Sequence, residues 1–302
     1  MKTKGELTMK RKNHTIGNIA IKVFFVLFSL TFILPLLMIL SISFTSEDVL
    51  IREGYKLIPS EFDMLAYKYI FKNPTQLIDA YKTTIFYSVL GTFLSVLVMA
   101  LLAYPLSKRT FKYRNGIMMY VYFTMLFSGG LIPTYILNTQ YLHLGNTIWI
   151  YIFPSLASAW HVILIRSFFQ GLPQELSEAA KIDGCSEWRT FFQIIIPLSK
   201  PVLATVSLLV LLGKWNDWQT SLIYVRDTSI YSLQYMLQRI LNEAEFVKST
   251  MENAPNISVK ASVPTETVKF AMCIVAAGPM LVVFPFFQKY FSKGLTVGAV
   301  KG

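Results

Sequence analysis

Apolar residues in this chain come in long runs separated by polar stretches. A helix needs about 20 apolar residues to cross the hydrocarbon core of a bilayer. Six runs reach that length: 16–44, 83–106, 117–137, 146–165, 202–225 and 268–287. They predict an all-α integral membrane protein with six transmembrane helices. A polar tail over 1–15 precedes the membrane domain, 16–291, and a second tail over 292–302 follows it. Pro35, the stretch "SGGLIP", Pro154, "GPM" and "VFPF" interrupt four of the runs. Breakers are tolerated in membrane helices where neighbours or a cavity satisfy the freed backbone groups, so bent spans are expected there. The first run starts basic but is too long for a signal peptide and lacks a small-residue cleavage site, and it reads as a retained span.

Composition agrees with this pattern: 302 residues, 54% hydrophobic, only 15% charged, with a mean hydropathy of +0.48. The net charge of +11 suits a polyanionic partner until its distribution is considered. With odd-numbered spans running outward, segments 1–15, 107–116, 166–200 and 288–302 hold sixteen lysines and arginines, against nine on the other side. That is the positive-inside bias, with both termini cytosolic, and nucleic acid is not an expected partner. Two external segments, 45–81 and 226–267, are long for bundle linkers and are read either as a lid or as a dock for an external partner. Within the second, "YSLQYMLQRILNEAEF" has helical spacing and the residues after it read as an irregular loop.

Little in the chain suggests catalysis. Cys185 and Cys273 fall in different compartments, so no disulfide is expected. His14, His143 and His161 are scattered, and no metal-ligand spacing, nucleophile elbow or phosphate-cradling loop occurs. No catalytic residue, cofactor or metal is expected in this chain.

One polar stretch is longer than a connection requires: "LPQELSEAAKIDGCSEWRTFFQIIIPLSKP", 172–201. Pro173 suits a helix's first turn, and Glu175 and Glu178 complement the dipole there. Gly184 suits the helix end, and Ser186 suits the cap of a second helix. Pro197 and Pro201 redirect the chain into the fifth run. Leu176, Ala179, Ala180 and Ile182 give the first helix a small-sided apolar face. A helix resting on lipid would show bulky anchors opposite a lysine-rich face. Paired alanines among carboxylates favour docking to protein instead.

Glu178-Ala179-Ala180, then Gly184, Ile194 and Pro197 at their spacing, resemble the EAA motif of ABC-importer permeases. The resemblance covers essentially the whole chain. The tail "FSKGLTVGAVKG" is similar to that of the carbohydrate-importer branch, relatives of the smaller maltose permease. "SGGLIPTYIL" and "GKWNDWQTSLIYV" resemble its polysaccharide and oligosaccharide subgroup, which works with a lipoprotein binding protein. Ile196 and Cys185 depart from the usual Leu and Ala. The resemblance implies a type I ABC importer permease fold in a bacterial plasma membrane. It makes 172–200 a coupling segment whose Glu178, Ala179, Ala180, Asp183, Gly184 and Pro197 serve contact with a cytosolic ATPase. Its implied partners are a second permease, two ATPase subunits that hold ATP and Mg, an extracytoplasmic binding protein and an oligosaccharide. The tail 294–302 is implied to reach toward the ATPases.

A second candidate site lies in the fifth run. Lys214 and Asp217 are three apart and would share one face of a continuous helix. Lys214 lies 13 residues beyond Pro201, about 20 Å along a helix, and ionisable groups at such depth mark functional sites or satisfied pairs. Trp215, Asn216, Asp217 and Trp218 combine aromatic faces with polar groups, as a sugar path requires. The tryptophans equally suit an interfacial belt. Tyr122, Tyr135 and Trp160 are lesser pathway candidates. Two other readings stay open here: an ABC permease for a non-sugar solute, and a stand-alone secondary transporter. The latter predicts paired broken helices in two halves, and the 172–201 segment has no second copy.

Overall fold

The computed structural model describes the backbone of residues 4–253 and 264–299, and the side chains of 17–250 and 264–288. The regular secondary structure of the described residues is all helical, apart from an isolated bridge between Thr45 and Phe62. Three continuous helices are long and apolar enough to cross a membrane: 17–43 within α1 (Lys4–Ser43), α4 (Pro74–Ser107), and 266–288 within α14 (Glu266–Ala299). Three further candidates are bent pairs. Arg114–Leu126 (α5) meets Leu131–Tyr141 at 113°, and Ile148–Ser155 meets Ala159–Gln170 (α7) at 51°. Glu187–Leu198 meets Lys200–Trp215 (α11) at 79°. Counting each pair as one span gives six.

Bends fall where the breakers predicted them in the third and fourth runs, at Gly129-Gly130 and around Pro154. The fifth run differs from expectation. It is not continuous: α11 ends at Trp215, residues 216–218 are non-helical, and α12 (Gln219–Tyr224) follows. At the two ends, α1 is helical from Lys4 and α14 continues to Ala299. The side chains of both tails, and loop residues 254–263, lie outside the described residues.

The chain forms two compact units. In the first, 1–72 with 241–275, the segment after α1 folds into α2 (Glu47–Glu53) and α3 (Leu65–Ile70). Phe44 stacks on Phe62 and Tyr67, and Ser43 shares a 2.9 Å hydrogen bond with Tyr67. Glu47 is buried and caps the start of α14. Its carboxylate accepts the backbone N–H of Thr265, Glu266 and Thr267 at 3.2, 2.9 and 2.9 Å, and the Thr267 hydroxyl at 2.8 Å. A carboxylate at a helix N-terminus satisfies orphan donors and complements the dipole. Glu47→Ala leaves those donors buried and unpaired, which costs about 2–3 kcal/mol. The purified protein should melt several degrees lower, and an unchanged melting temperature would contradict the cap.

In the second unit, 73–240 with 276–302, α4 packs against α7 and α11. Its buried stripe includes Ala80, Thr84, Ser88, Gly91, Ser95, Met99 and Ala103, spaced three to four apart. Ile85, Phe86, Val89 and Phe93 face outward. Polarity is thus inverted relative to a soluble helix. In lipid no hydrophobic force drives helices together, so small residues at the interface permit close van der Waals contact. Met99, Ala100 and Ala103 join Val162, Ile165, Phe169, Phe191, Ile195 and Val206 in one core.

Buried polar groups in this unit are tied together. The Tyr87 and Tyr151 rings stack at 4.4 Å. The Tyr151 hydroxyl lies 2.7 Å from the Ser221 hydroxyl and donates to the Ile230 carbonyl at 2.8 Å. Asn146 takes φ +55°, which asparagine tolerates, and its side-chain Oδ1 accepts the N–H of both Arg226 and Asp227 at 2.8 Å.

Candidate functional site

Two places in the second unit carry the residues singled out above. At the first, α8 (Gln174–Ile182) begins after Pro173, one position earlier than the expected first-turn proline. Its end is a Schellman turn: Cys185 N–H donates to Ala180 O at 2.9 Å and Gly184 N–H to Lys181 O at 3.1 Å. Gly184 has φ +72° and no neighbouring atom lies within 4 Å of where a β-carbon would sit, so the backbone angle alone demands glycine. The Ser186 hydroxyl caps α9 (Glu187–Thr190) by accepting Arg189 N–H at 3.3 Å. A π-type turn, Phe191–Ile195, and α10 (Ile196–Leu198), which holds Pro197, lead to the 79° bend at Ser199.

The helix–turn–helix is held to its own unit at few points. Ala180 is 4% exposed and faces the core rather than outward. Glu187 pairs with Lys108, accepts the Tyr104 hydroxyl at 3.0 Å, and lies 3.4 Å from Lys181. The hydrogen-bonded Lys108 ammonium holds the Glu187 carboxyl below its usual pKa. This tie is therefore fully present above the ordinary carboxylate range and is lost as pH falls through the lowered value. Glu175, Leu176, Glu178, Ala179, Ile182 and Asp183 are exposed, with Ile182 at 87%. The side chains of Glu175, Glu178 and Asp183 make no hydrogen bond or ion pair among the described residues. The arrangement is a helix pinned by one side, with an unpartnered face of apolar and acidic groups.

At the second place, a cavity of about 380 Å³ is lined by residues that include Ser155, Ser158, His161, Lys214, Asn216, Asp217 and Trp218. Sequence reasoning found Lys214, Asn216, Asp217 and Trp218 but missed the serines, His161 and Met99, which come from α4 and the bent fourth span. Trp215 does not line it. That side chain is 3% exposed, and its indole N–H donates to the Ala276 carbonyl at 2.9 Å. Tyr122, Tyr135 and Trp160 are not among the lining residues either. Tyr135 instead stacks on Tyr224 at 5.6 Å.

Lys214 and Asp217 do not share a helix face, because α11 ends between them. Lys214 Nζ donates to Tyr151 O at 3.0 Å and to Ser155 Oγ at 2.6 Å. Asp217 accepts Thr220 N–H at 3.0 Å and so caps α12. An Asp217→Asn variant keeps this acceptor and loses only the charge, whereas Asp217→Ala loses both, a cap worth about 1 kcal/mol. If the charge serves transport, both variants lower uptake with assembly intact. Normal uptake by Asp217→Asn would assign the residue to capping alone.

Among the described residues no group of three or more His, Cys, Asp or Glu is placed to hold a metal. Comparison with known proteins places the whole chain. Residues 7–297 match the family described as "Binding-protein-dependent transport system inner membrane component". The chain is 41% identical to Protein LplC of Bacillus subtilis (strain 168) over 270 residues, 89% of this chain and 90% of the relative. It is 38% identical to the polygalacturonan/rhamnogalacturonan transport system permease protein YtcP of the same organism, over 92% of this chain and 96% of the relative. Its fold matches a chain from the crystal structure of a bacterial ABC transporter involved in import of the acidic polysaccharide alginate. That match has a TM-score of 0.76 at 28% identity and covers 92% of this chain and 98% of the other. The chain belongs to the family of inner membrane components of binding-protein-dependent transport systems, and it is a multi-pass, non-catalytic ABC transporter permease.

Proposed function

We propose that this chain forms one half of the conduit through which an ABC importer takes up an oligosaccharide delivered by an extracytoplasmic binding protein. The observation that carries the reading is the exposed face of α8, free of internal partners yet braced against α4 through Glu187 and Lys108. Such a helix is stiff enough to transmit a displacement and open enough to receive a partner. A cytosolic ATPase is the occupant that fits. Glu178 and Ala179 make the direct contact, with Leu176 and Ile182 flanking them. Ala180 lets the helix lie close to its own core. Asp183 and Gly184 end it, and Pro197 helps turn the chain into the span.

The remaining assignments follow from the same reading. Both termini and the 172–200 segment face the cytosol, where two ATPase subunits bind ATP and Mg. A second, homologous permease completes the path. The ATPases shift the permease between inward-open and outward-open states only through contacts that differ with nucleotide. Lys214, Asn216, Asp217 and Trp218 line the path, while Trp215 supports it from behind. The cargo named for YtcP and for the alginate transporter supports a glycan, since both are polysaccharides. A stand-alone transporter disagrees with membership of a family that works with binding proteins.

The test is co-purification of the tagged chain from its native membrane, with mass spectrometry of what accompanies it. A second permease and an ATPase are expected. Recovery of this chain alone, under conditions that preserve a known importer, would contradict the proposal.

A further inference from the structure

Lys214 poses a problem of charge. It is 7% exposed, in the last turn of a membrane helix, and among the described residues it forms no ion pair. Its two acceptors, the Tyr151 carbonyl and the Ser155 hydroxyl, are neutral. Asp217 is near enough to favour the ammonium through space, but one of its oxygens caps α12, and it forms no ion pair with Lys214. A buried ammonium is costly unless an anion compensates it, and ionisable groups within membrane domains mark sites that meet a ligand.

The position is also built. Gly91 of α4 faces the lysine stem, and a β-carbon there would sit 2.8 Å from Lys214 Cε and 3.0 Å from Nζ. Glycine on α4 thus makes room for the side chain, two acceptors on the bent fourth span fix its amine, and the Tyr87 hydroxyl donates to its backbone carbonyl at 3.0 Å. One of the three ammonium donors is left over. The cavity of about 380 Å³ lies against this residue, with the half-exposed Trp218 and Asn216 on its wall. His161 is there too, and its Nδ1 is buried without a partner.

We propose that Lys214 is a carboxylate subsite, and that the glycan passing through this cavity carries acidic sugar residues of the uronate type. The ammonium supplies a charge-assisted hydrogen bond to the sugar carboxylate. Trp218 offers an aromatic face to the ring. Asn216 and His161 offer donors and acceptors to hydroxyls. Asp217, on the same wall, repels a carboxylate and so directs the acidic group toward Lys214. The inference rests on the reading of this chain as a glycan conduit.

The experiment is ATP-driven uptake by the complete importer, with its own binding protein, of tri-galacturonate and of its methyl ester. The ester has the same rings without the charge. Lys214→Met should lower uptake of the acid about tenfold or more relative to the ester, and Lys214→Arg should keep the acid preferred. Because the binding protein is the same throughout, the change in ratio reports on the permease. Gly91→Ala is the companion variant, since it displaces the ammonium and leaves the charge in place. It should shift the ratio the same way, and it decides the matter should Lys214→Met not assemble. A parallel fall for acid and ester would make Lys214 a packing clip and overturn the proposal. Uptake of a neutral oligosaccharide but of neither galacturonide would overturn it while leaving the conduit reading intact. If no glycan moves, the conduit reading falls as well.

Discussion

Glu178→Lys should abolish ATP-driven uptake while the chain remains in the membrane beside its partner permease. Glu178 is exposed and unpaired, so the substitution removes no internal bond. Surface changes of this kind usually alter stability by no more than about 0.5 kcal/mol. The effect falls on docking. Reversing a charge that meets a complementary surface costs about 2–5 kcal/mol, at least about thirtyfold in affinity. Glu178→Gln keeps the shape and should lose much less. The check pairs uptake with the amount of ATPase retained on the purified permeases. Normal uptake by Glu178→Lys, with the ATPase still bound, would remove α8 from the coupling contact.

Gly184→Val should lower uptake about tenfold or more for a different reason. The residue contributes no contact, because nothing lies within 4 Å of an added β-carbon. Its φ of +72° is the whole requirement. Left-handed backbone costs an ordinary residue roughly 1–2 kcal/mol, and a β-branched side chain is worse placed there. The Schellman bonds from Gly184 and Cys185 would open, and α8 would lose its fixed angle to α9. Gly184→Asn, which tolerates this region, should be mild. Measuring how far loaded binding protein stimulates ATP hydrolysis separates lost coupling from lost assembly. Equal stimulation in Gly184→Val and the parent would mean that the turn does not transmit motion.

These two residues also show which parts of the molecule were legible in sequence. The end of α8 and the start of α9 were read correctly because cap chemistry is local: Gly184 and Ser186 act on backbone groups within a few residues. Spans were found because a bilayer imposes a length on apolar runs. The break at 216–218 was hidden, since Lys214 and Asp217 sit inside the run 202–225, whose length alone reads as one helix. What ends α11 there is tertiary: Trp215 is anchored to Ala276, Lys214 to the fourth span, and Asp217 to a new helix. The inward face of α4 was equally hidden. Hydropathy marks a membrane helix as apolar all round, and which side is small and polar matters only once neighbours pack. His161, Met99 and the two serines joined the cavity by folding, from elements that no sequence spacing connects.

The most direct test of the central claim is accumulation of an oligosaccharide in proteoliposomes that contain this chain and its partner permease, with loaded binding protein on the delivery side. The account predicts accumulation only when both the ATPase and ATP are supplied on the opposite face, and none when either is left out. Entry of the glycan at the same rate without the ATPase would show that the chain transports alone, and would contradict the account of α8 as the part through which ATP hydrolysis drives the path.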